Sequence, residues 1–176
     1  MSADGTVARI LRERARALAR PTRAETRRDD DLELLELRIA DERYAVETRF
    51  VVEVHALRDL TPLPGTPAFV RGIVNLRGRI VPVYDLRQLF GLPQQGITDL
   101  HRIVLVENHD LDLGLLADVV TGVRVLPRAA LAPPPTTVSM IAAEYLAGVS
   151  EERLVVLDLD RILNDPGIVV NDGDSQ

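Results

Sequence analysis

The hydrophobic positions between residues 32 and 163 alternate with polar ones in short runs, and turn-forming residues separate the runs. This pattern is typical of β-strands with one buried face. Ala40–Arg43 and Arg77–Arg79 are each flanked by two such runs, so each predicts the turn of a hairpin. Pro82 lies within one run and predicts a strand at a sheet edge or beside a bulge. In the first half, strands are predicted at 32–39, 44–46, 50–54, 73–76 and 80–84.

The second half of the chain repeats this order of elements. Strands are predicted at 102–107, 113–116, 119–123, 145–149 and 154–157. Asp85 and Asp158 each follow a strand and precede a short helical pattern, so both are predicted helix N-caps, and Gly91 ends the first helix. The duplication predicts a mainly β fold of two small five-stranded barrels with short helices.

The N-terminus has a different composition. Residues 4–20 have apolar side chains at helical spacing, and Pro21 ends the predicted helix. Eight Arg against two Glu lie between Arg9 and Arg28, which favours a solvated helical face over a contact with nucleic acid or anionic lipid. The helix either docks onto the body or binds a partner. We predict an N-terminal basic helix and linker (1–31), a two-lobed domain (32–165) and a flexible tail (166–176). The lobe boundary is predicted near 90–101, and strand exchange between the lobes is open.

The composition narrows the range of possible functions. The chain has 176 residues, a net charge of −6 and no Cys, which excludes disulfides, thiolate metal sites and cysteine nucleophiles. No apolar segment reaches the length of a membrane helix and no signal-peptide core follows Met1, so we expect a cytoplasmic protein.

Catalytic chemistry has little support in the sequence. His55, His101 and His109 lack metal-ligand spacing, and no Gly-x-Ser-x-Gly elbow or complete phosphate loop is present. We predict no catalytic residue, no metal and no cofactor. A nucleic-acid-binding barrel is the alternative from another class, but 3% aromatic residues and an acidic barrel region argue against it.

The segment FVRGIVNLRGRIVPVYDLRQLFG (69–91) resembles the signature of the CheW-type coupling proteins of bacterial chemotaxis. ERYAV (42–46) and YLAGV (145–149) extend the resemblance over about residues 32–163. It implies two SH3-like barrels around a shared hydrophobic core, and a non-catalytic adaptor between chemoreceptor cytoplasmic tips and a chemotaxis histidine kinase. A similar scaffold in a non-motility phosphorelay is the alternative output.

The resemblance also implies a receptor-binding groove between the barrels and leaves the kinase-contact residues unassigned. Arg77 either binds the receptor or pairs with Glu53 inside the protein, and Val51 is either an exposed contact or part of the core. The two glycines of the hairpin, Gly72 and Gly78, are favoured as conformational, and His55 departs from the family pattern. The positions that match the receptor-binding motif are Val51, Glu53, Gly72, Asn75 and Arg77.

Overall fold

The computed structural model describes residues 28–136 and 143–168, and the predicted N-terminal helix (4–20) and residues 169–176 of the predicted C-terminal tail lie outside these ranges. The first residues of that tail lie inside them, and Ile168 is buried in the hydrophobic core. Ten strands and two short α-helices make the described part mainly β, as the pattern predicts. The strands are β1 (Asp31–Ile39), β2 (Glu42–Glu47), β3 (Val51–Ala56), β4 (Val70–Leu76), β5 (Arg79–Tyr84), β6 (Arg102–Glu107), β7 (Asp112–Ala117), β8 (Val119–Pro127), β9 (Leu146–Val149) and β10 (Leu154–Leu157). The helices are α1 (Leu86–Phe90) and α2 (Leu159–Asn164).

The strands form two five-stranded sheets, each of which takes strands from both halves of the chain. Lobe 1 has the order β8-β1-β2-β10-β9 and lobe 2 has the order β3-β6-β7-β5-β4. The first hairpin of each half therefore lies in the sheet completed by the other half. The chain crosses between the lobes twice, once through the 3₁₀ turn Thr48–Phe50 and once at Asp118. The predicted lobe boundary near 90–101 is wrong, because this segment connects β5 to β6 within lobe 2.

The two sheets correspond strand for strand, so an internal two-fold relationship links the lobes. A bulge interrupts the β3–β6 ladder between Val51 and Glu53, and another interrupts the β8–β1 ladder opposite Glu36 and Leu37. The second hairpin of each half pairs in parallel with a strand of the other half, β5 with β7 and β10 with β2. The duplicated pattern of the sequence is thus a duplicated structure.

A single large hydrophobic cluster joins the lobes. It contains side chains from lobe 1, such as Leu37 and Ile39, together with Val104 and Leu115 from lobe 2. Each lobe also has a smaller cluster of its own. The shared cluster means that the faces between the two sheets are buried against each other.

The predicted helix caps are confirmed. The side chain of Asp85 accepts a hydrogen bond from the Arg87 N–H, and the side chain of Asp158 accepts one from the Arg161 N–H. Gly91 ends α1 with φ +66°. Pro82 lies in an interior strand, beside the bulge of the β4–β5 ladder, and the ladder of β5 with β7 begins only at Val83. Pro82, which has no N–H to donate, therefore removes no hydrogen bond from the pairing of β5 with β7.

No helix of the described ranges is long and apolar enough to span a membrane.

Candidate functional site

The turn between β4 and β5 displays Arg77 at the tip of a hairpin. Arg77 has φ +54° and Gly78 has φ +85°, a left-handed pair typical of a tight hairpin turn. The Gly78 N–H donates to the Asn75 side-chain oxygen at 2.8 Å, so Asn75 braces the turn. The Arg77 side chain is 63% exposed. The guanidinium is thus held at the surface by a fixed backbone.

Glu53 connects this turn to the other edge of the same sheet. Its carboxylate lies 3.3 Å from the Arg77 guanidinium, although β3 and β4 are the two outer strands of lobe 2. The other carboxylate oxygen lies 2.8 Å from His55 Nε2. Although the two atoms are this close, their relative orientation is not that of a hydrogen bond. Glu53 is largely buried and Arg77 is not, so a partner can reach the arginine without displacing the carboxylate.

The Arg77 hairpin is longer than its counterpart in lobe 1. Nine positions separate Ile73 from its partner Pro82, whereas six separate Val149 from its partner Val155. The extra length carries the turn with Arg77. The equivalent turn of lobe 1 also carries an arginine, Arg153, so the feature that distinguishes lobe 2 is the greater length of its hairpin.

A shallow groove of about 330 Å³ lies beside this hairpin. Its floor is apolar, and its rim carries one carboxylate and two guanidinium groups. Arg79, on the rim, pairs with Asp112, which leaves Arg77 as the more exposed cation. The residues of the groove are Val52, Glu53, Leu76, Arg77, Arg79, Val81 and Leu105. Such a surface suits a partner that offers an apolar side chain next to an acidic one.

Gly72 allows two backbone segments to approach each other closely. A Cβ at this position would lie 2.2 Å from the Thr61 carbonyl oxygen, and φ is +147°. Thr61 and Ile73 form a two-hydrogen-bond bridge that covers the outer edge of β4. Gly148 has the same role against Ala132 in lobe 1. The expectation that Gly72 is conformational agrees with this geometry.

Val51 begins β3 and is half-buried against the shared core. The structure therefore brings Glu53, Asn75 and Arg77 together at one hairpin. It places Val51 at the core between the lobes and Gly72 at the covered edge of β4.

Sequence reasoning missed a buried ionic network between the lobes. Arg87 and Asp85 are each 1% exposed, and the Arg87 guanidinium contacts the Asp118 carboxylate. The same carboxylate lies 3.0 Å from His101 Nε2 and accepts a hydrogen bond from the Ala40 N–H at 2.8 Å. The Thr98 N–H donates to His101 Nδ1 at 3.0 Å, and Nε2 is the ring nitrogen that faces Asp118. The sequence did not indicate that Arg87 is buried, because its partner Asp118 lies 31 positions away.

Within residues 28–136 and 143–168, no group of three or more His, Asp or Glu side chains is arranged to hold a metal ion.

The geometry defines a class of protein: a two-lobed β scaffold with a projecting arginine hairpin and a buried connection between the lobes. A model of the CheW-like domain matches residues 33–167, which is most of the chain. The protein belongs to the CheW-like family, whose members are scaffolding or adaptor proteins and not enzymes.

Three similar proteins illustrate the relationship. The chemotaxis protein CheW of Klebsiella aerogenes is 33% identical over 75% of this chain and 81% of its own length. Protein FrzA of Myxococcus xanthus is 33% identical over 84% of this chain and 91% of its own length. The crystal structure of the scaffolding protein TtCheW from Thermoanaerobacter tengcongensis aligns with a TM-score of 0.67 at 30% identity, covering 77% of this chain and 94% of that one. The fold is accordingly two SH3-like five-stranded lobes around a shared core.

Proposed function

We propose that this protein couples the cytoplasmic tips of chemoreceptors to a chemotaxis histidine kinase. Membership of the CheW-like family supports an adaptor of chemotaxis-type signalling, and the groove beside the Arg77 hairpin is a surface of the kind an adaptor needs. The partners are a receptor signalling tip and the regulatory domain of the kinase. The proposal places the protein in the cytoplasm, held at membrane receptor arrays through these partners.

One observation carries the proposal: Arg77 stays exposed although it is paired. Its guanidinium has five donors, and the single contact with Glu53 at 3.3 Å occupies only part of them. The remaining donors face solvent beside a groove whose floor is apolar. A helical receptor tip with an acidic side chain next to an apolar one would fill both features.

The proposed contact residues on this surface are Val51, Glu53, Gly72, Asn75 and Arg77. Glu53 and Asn75 orient Arg77 and its turn, and Gly72 shapes the edge of the strand that leads to the turn. Val51 is half-buried against the shared core at the start of β3, and only the rest of its side chain is available to a partner. We assign Arg77 the direct polar contact and the others mainly its presentation.

Co-purification tests the proposal. The full chain, immobilised through a tag, is mixed with a receptor signalling-tip fragment and, separately, with the kinase regulatory domain. We expect both to be retained, and all three proteins to elute together by size exclusion. Retention of neither partner at micromolar concentrations would contradict the coupling function.

The same assay separates the two partners. If Arg77 contacts the receptor, Arg77→Glu reduces capture of the tip and leaves capture of the kinase domain unchanged. Loss of the kinase domain alone would show that the hairpin faces the kinase instead.

A further inference from the structure

The carboxylate of Glu53 is shared between Arg77 and His55. One of its oxygens lies 3.3 Å from the Arg77 guanidinium, and the other lies 2.8 Å from His55 Nε2. Glu53 and His55 are two positions apart on β3, so their side chains lie on the same face of the strand. A single carboxylate therefore connects a permanently charged group with one that can gain a charge.

The contact between Glu53 and His55 is sheltered from water. The two side chains are 13% and 15% exposed, whereas the Arg77 side chain is 63% exposed. The residues of β6 opposite them are Leu105 and Ile103, which belong to the hydrophobic cluster of lobe 2. Because charges interact more strongly where water is excluded, a charge on His55 acts on Glu53 more strongly than an equal charge in solvent would.

Glu53 is the charged group that His55 faces most closely. Among the described residues, no other carboxylate lies within 4.0 Å of His55. Arg102 of β6 donates to two backbone carbonyl oxygens, Arg79 of the hairpin pairs with a carboxylate of β7, and Arg58 beyond β3 is exposed. The charge on His55 therefore acts mainly on Glu53 and, through it, on Arg77.

The position of His55 has a permanently charged counterpart in lobe 1. His55 comes two residues after Glu53, which is the first residue paired beyond the bulge of the β3–β6 ladder. Gly122 has that place in the β8–β1 ladder, and Arg124 follows it by two residues. Arg124 pairs with Glu152 of the β9–β10 turn at 2.7 Å. In lobe 1 this strand position thus carries a cation that pairs with the hairpin, and in lobe 2 it is cationic only when a histidine is protonated.

We propose that His55 is a positioning residue for Arg77 and makes the affinity of the Arg77 site depend on pH. A histidine gains its charge within the physiological pH range. When His55 is neutral, the Glu53 carboxylate offsets the charge of Arg77 alone. When His55 is protonated, two cations share that carboxylate and one positive charge is left without compensation. Arg77 is then held less strongly by Glu53, and its donors are freer to bind an acidic side chain.

The tighter binding of a receptor tip at lower pH rests on the proposed function. The coupling of His55 to Arg77 through Glu53 does not, because it is measured on the free protein. Nuclear magnetic resonance of the histidine ring signals follows the protonation of His55 in the full chain. The midpoint of that titration should move to lower pH in Glu53→Gln, which removes the carboxylate, and to higher pH in Arg77→Gln, which leaves the carboxylate to His55 alone.

Arg153→Gln is the control for this titration. It removes one exposed arginine from the equivalent turn of lobe 1 and should leave the midpoint of His55 unchanged. A midpoint that stays at its wild-type position in either Glu53→Gln or Arg77→Gln would overturn the coupling.

Binding titrations of the full chain with the receptor-tip fragment at about pH 6 and about pH 8 test the consequence. We expect the wild type to bind about three-fold or more tightly at the lower pH, and His55→Gln to keep the weaker affinity at both. His55→Arg, which copies the cation of lobe 1, should bind at the higher pH as tightly as the wild type does at the lower. His109→Gln, which removes an exposed histidine from the β6–β7 turn, should keep the wild-type pH dependence.

The outcomes distinguish the two proposals. A tip that the wild type fails to bind at either pH would contradict the coupling function, and the ring titration would still decide whether His55 and Arg77 are coupled. Equal wild-type affinity at both pH values, or a pH dependence that persists in His55→Gln, would overturn the role of His55.

Discussion

The guanidinium of Arg77 lies 3.3 Å from the carboxylate of Glu53, and this contact joins the two outer strands of lobe 2. The pair is exposed on the arginine side, so its contribution to folding is at most about 1 kcal/mol. We expect Arg77→Glu to lower the affinity for a receptor tip about 10-fold or more, because the partner we propose offers an acidic side chain to these donors. Binding titration with the tip fragment, alongside thermal unfolding, measures both effects.

Arg153→Glu is the matched control for that change. Arg153 is also exposed and also has a positive φ, of +61°, in the equivalent turn of lobe 1. Its reversal alters the net charge by the same amount and should leave receptor affinity within about two-fold. A melting temperature that falls by more than about 5 °C in Arg77→Glu would assign the arginine to the framework instead.

Gly72→Ala should destabilise the protein strongly. The added methyl group would lie 2.2 Å from the Thr61 carbonyl, so the bridge that covers β4 must move, at a cost of about 3 kcal/mol. Gly78→Ala keeps open space around the methyl group at φ +85° and should cost about 1 kcal/mol. Urea denaturation of both variants measures the difference, and equal midpoints would refute the steric explanation.

Arg87→Met should cost about 3–5 kcal/mol in the free energy of unfolding, since it leaves Asp85 and Asp118 without their buried cation. Arg161→Met removes an exposed arginine from α2 and should cost less than about 0.5 kcal/mol. Chemical denaturation monitored by circular dichroism measures both values. A cost below about 1 kcal/mol for Arg87→Met would show that the network is not essential for folding.

Tyr145 and Asp165 make stability depend on pH in the acid range. The Tyr145 hydroxyl donates to Asp165 at 2.6 Å, and this bond, with that of the Gly167 N–H, lowers the pKa of Asp165. A carboxyl with a lowered folded pKa stabilises the protein above its unfolded pKa of about 3.9 and stops doing so as the pH falls through the folded pKa. Tyr145→Phe should therefore lose about 0.5 kcal/mol at pH 7.

The loss in Tyr145→Phe should shrink as the pH falls below about 4, because the wild-type contribution disappears there. The same bond raises the pKa of Tyr145 to about 12. Melting temperatures of both proteins at a series of pH values measure the difference. A difference independent of pH would mean that packing of the ring, and not the bond to Asp165, is responsible.

The local features of the fold were predictable because they depend on neighbouring residues. The hairpin at Arg77–Arg79 follows from alternation and Gly78, and the caps at Asp85 and Asp158 follow from an aspartate before an apolar run. Which strands pair with each other could not be predicted from neighbouring residues. The parallel pairing of β2 with β10 joins segments more than a hundred residues apart, and alternation reports burial of a face but not what covers it.

In the candidate site, too, the local features were predictable and the contacts between distant residues were not. Asn75 and Arg77 were identified from one contiguous motif, and the contact of Arg77 with Glu53, one of the two alternatives that the sequence left open, is present in the structure. Arg87 belongs to that motif too, but its helix has only five residues, too few for the sequence to define a buried face. Its burial depends on Asp118 and His101, which approach it only once both lobes have formed.

The exchange of hairpins makes the two halves of the chain mutually dependent. β1 and β2 complete a sheet with strands that are synthesised more than seventy residues later, and β6 and β7 insert between strands that are already present. Neither half has the full complement of hydrogen-bonding neighbours without the other. Lobe 2 has all its strands once β7 has been synthesised, whereas lobe 1 must wait for β10, and a cut between β5 and β6 would leave two fragments that complete their sheets only by reassembling.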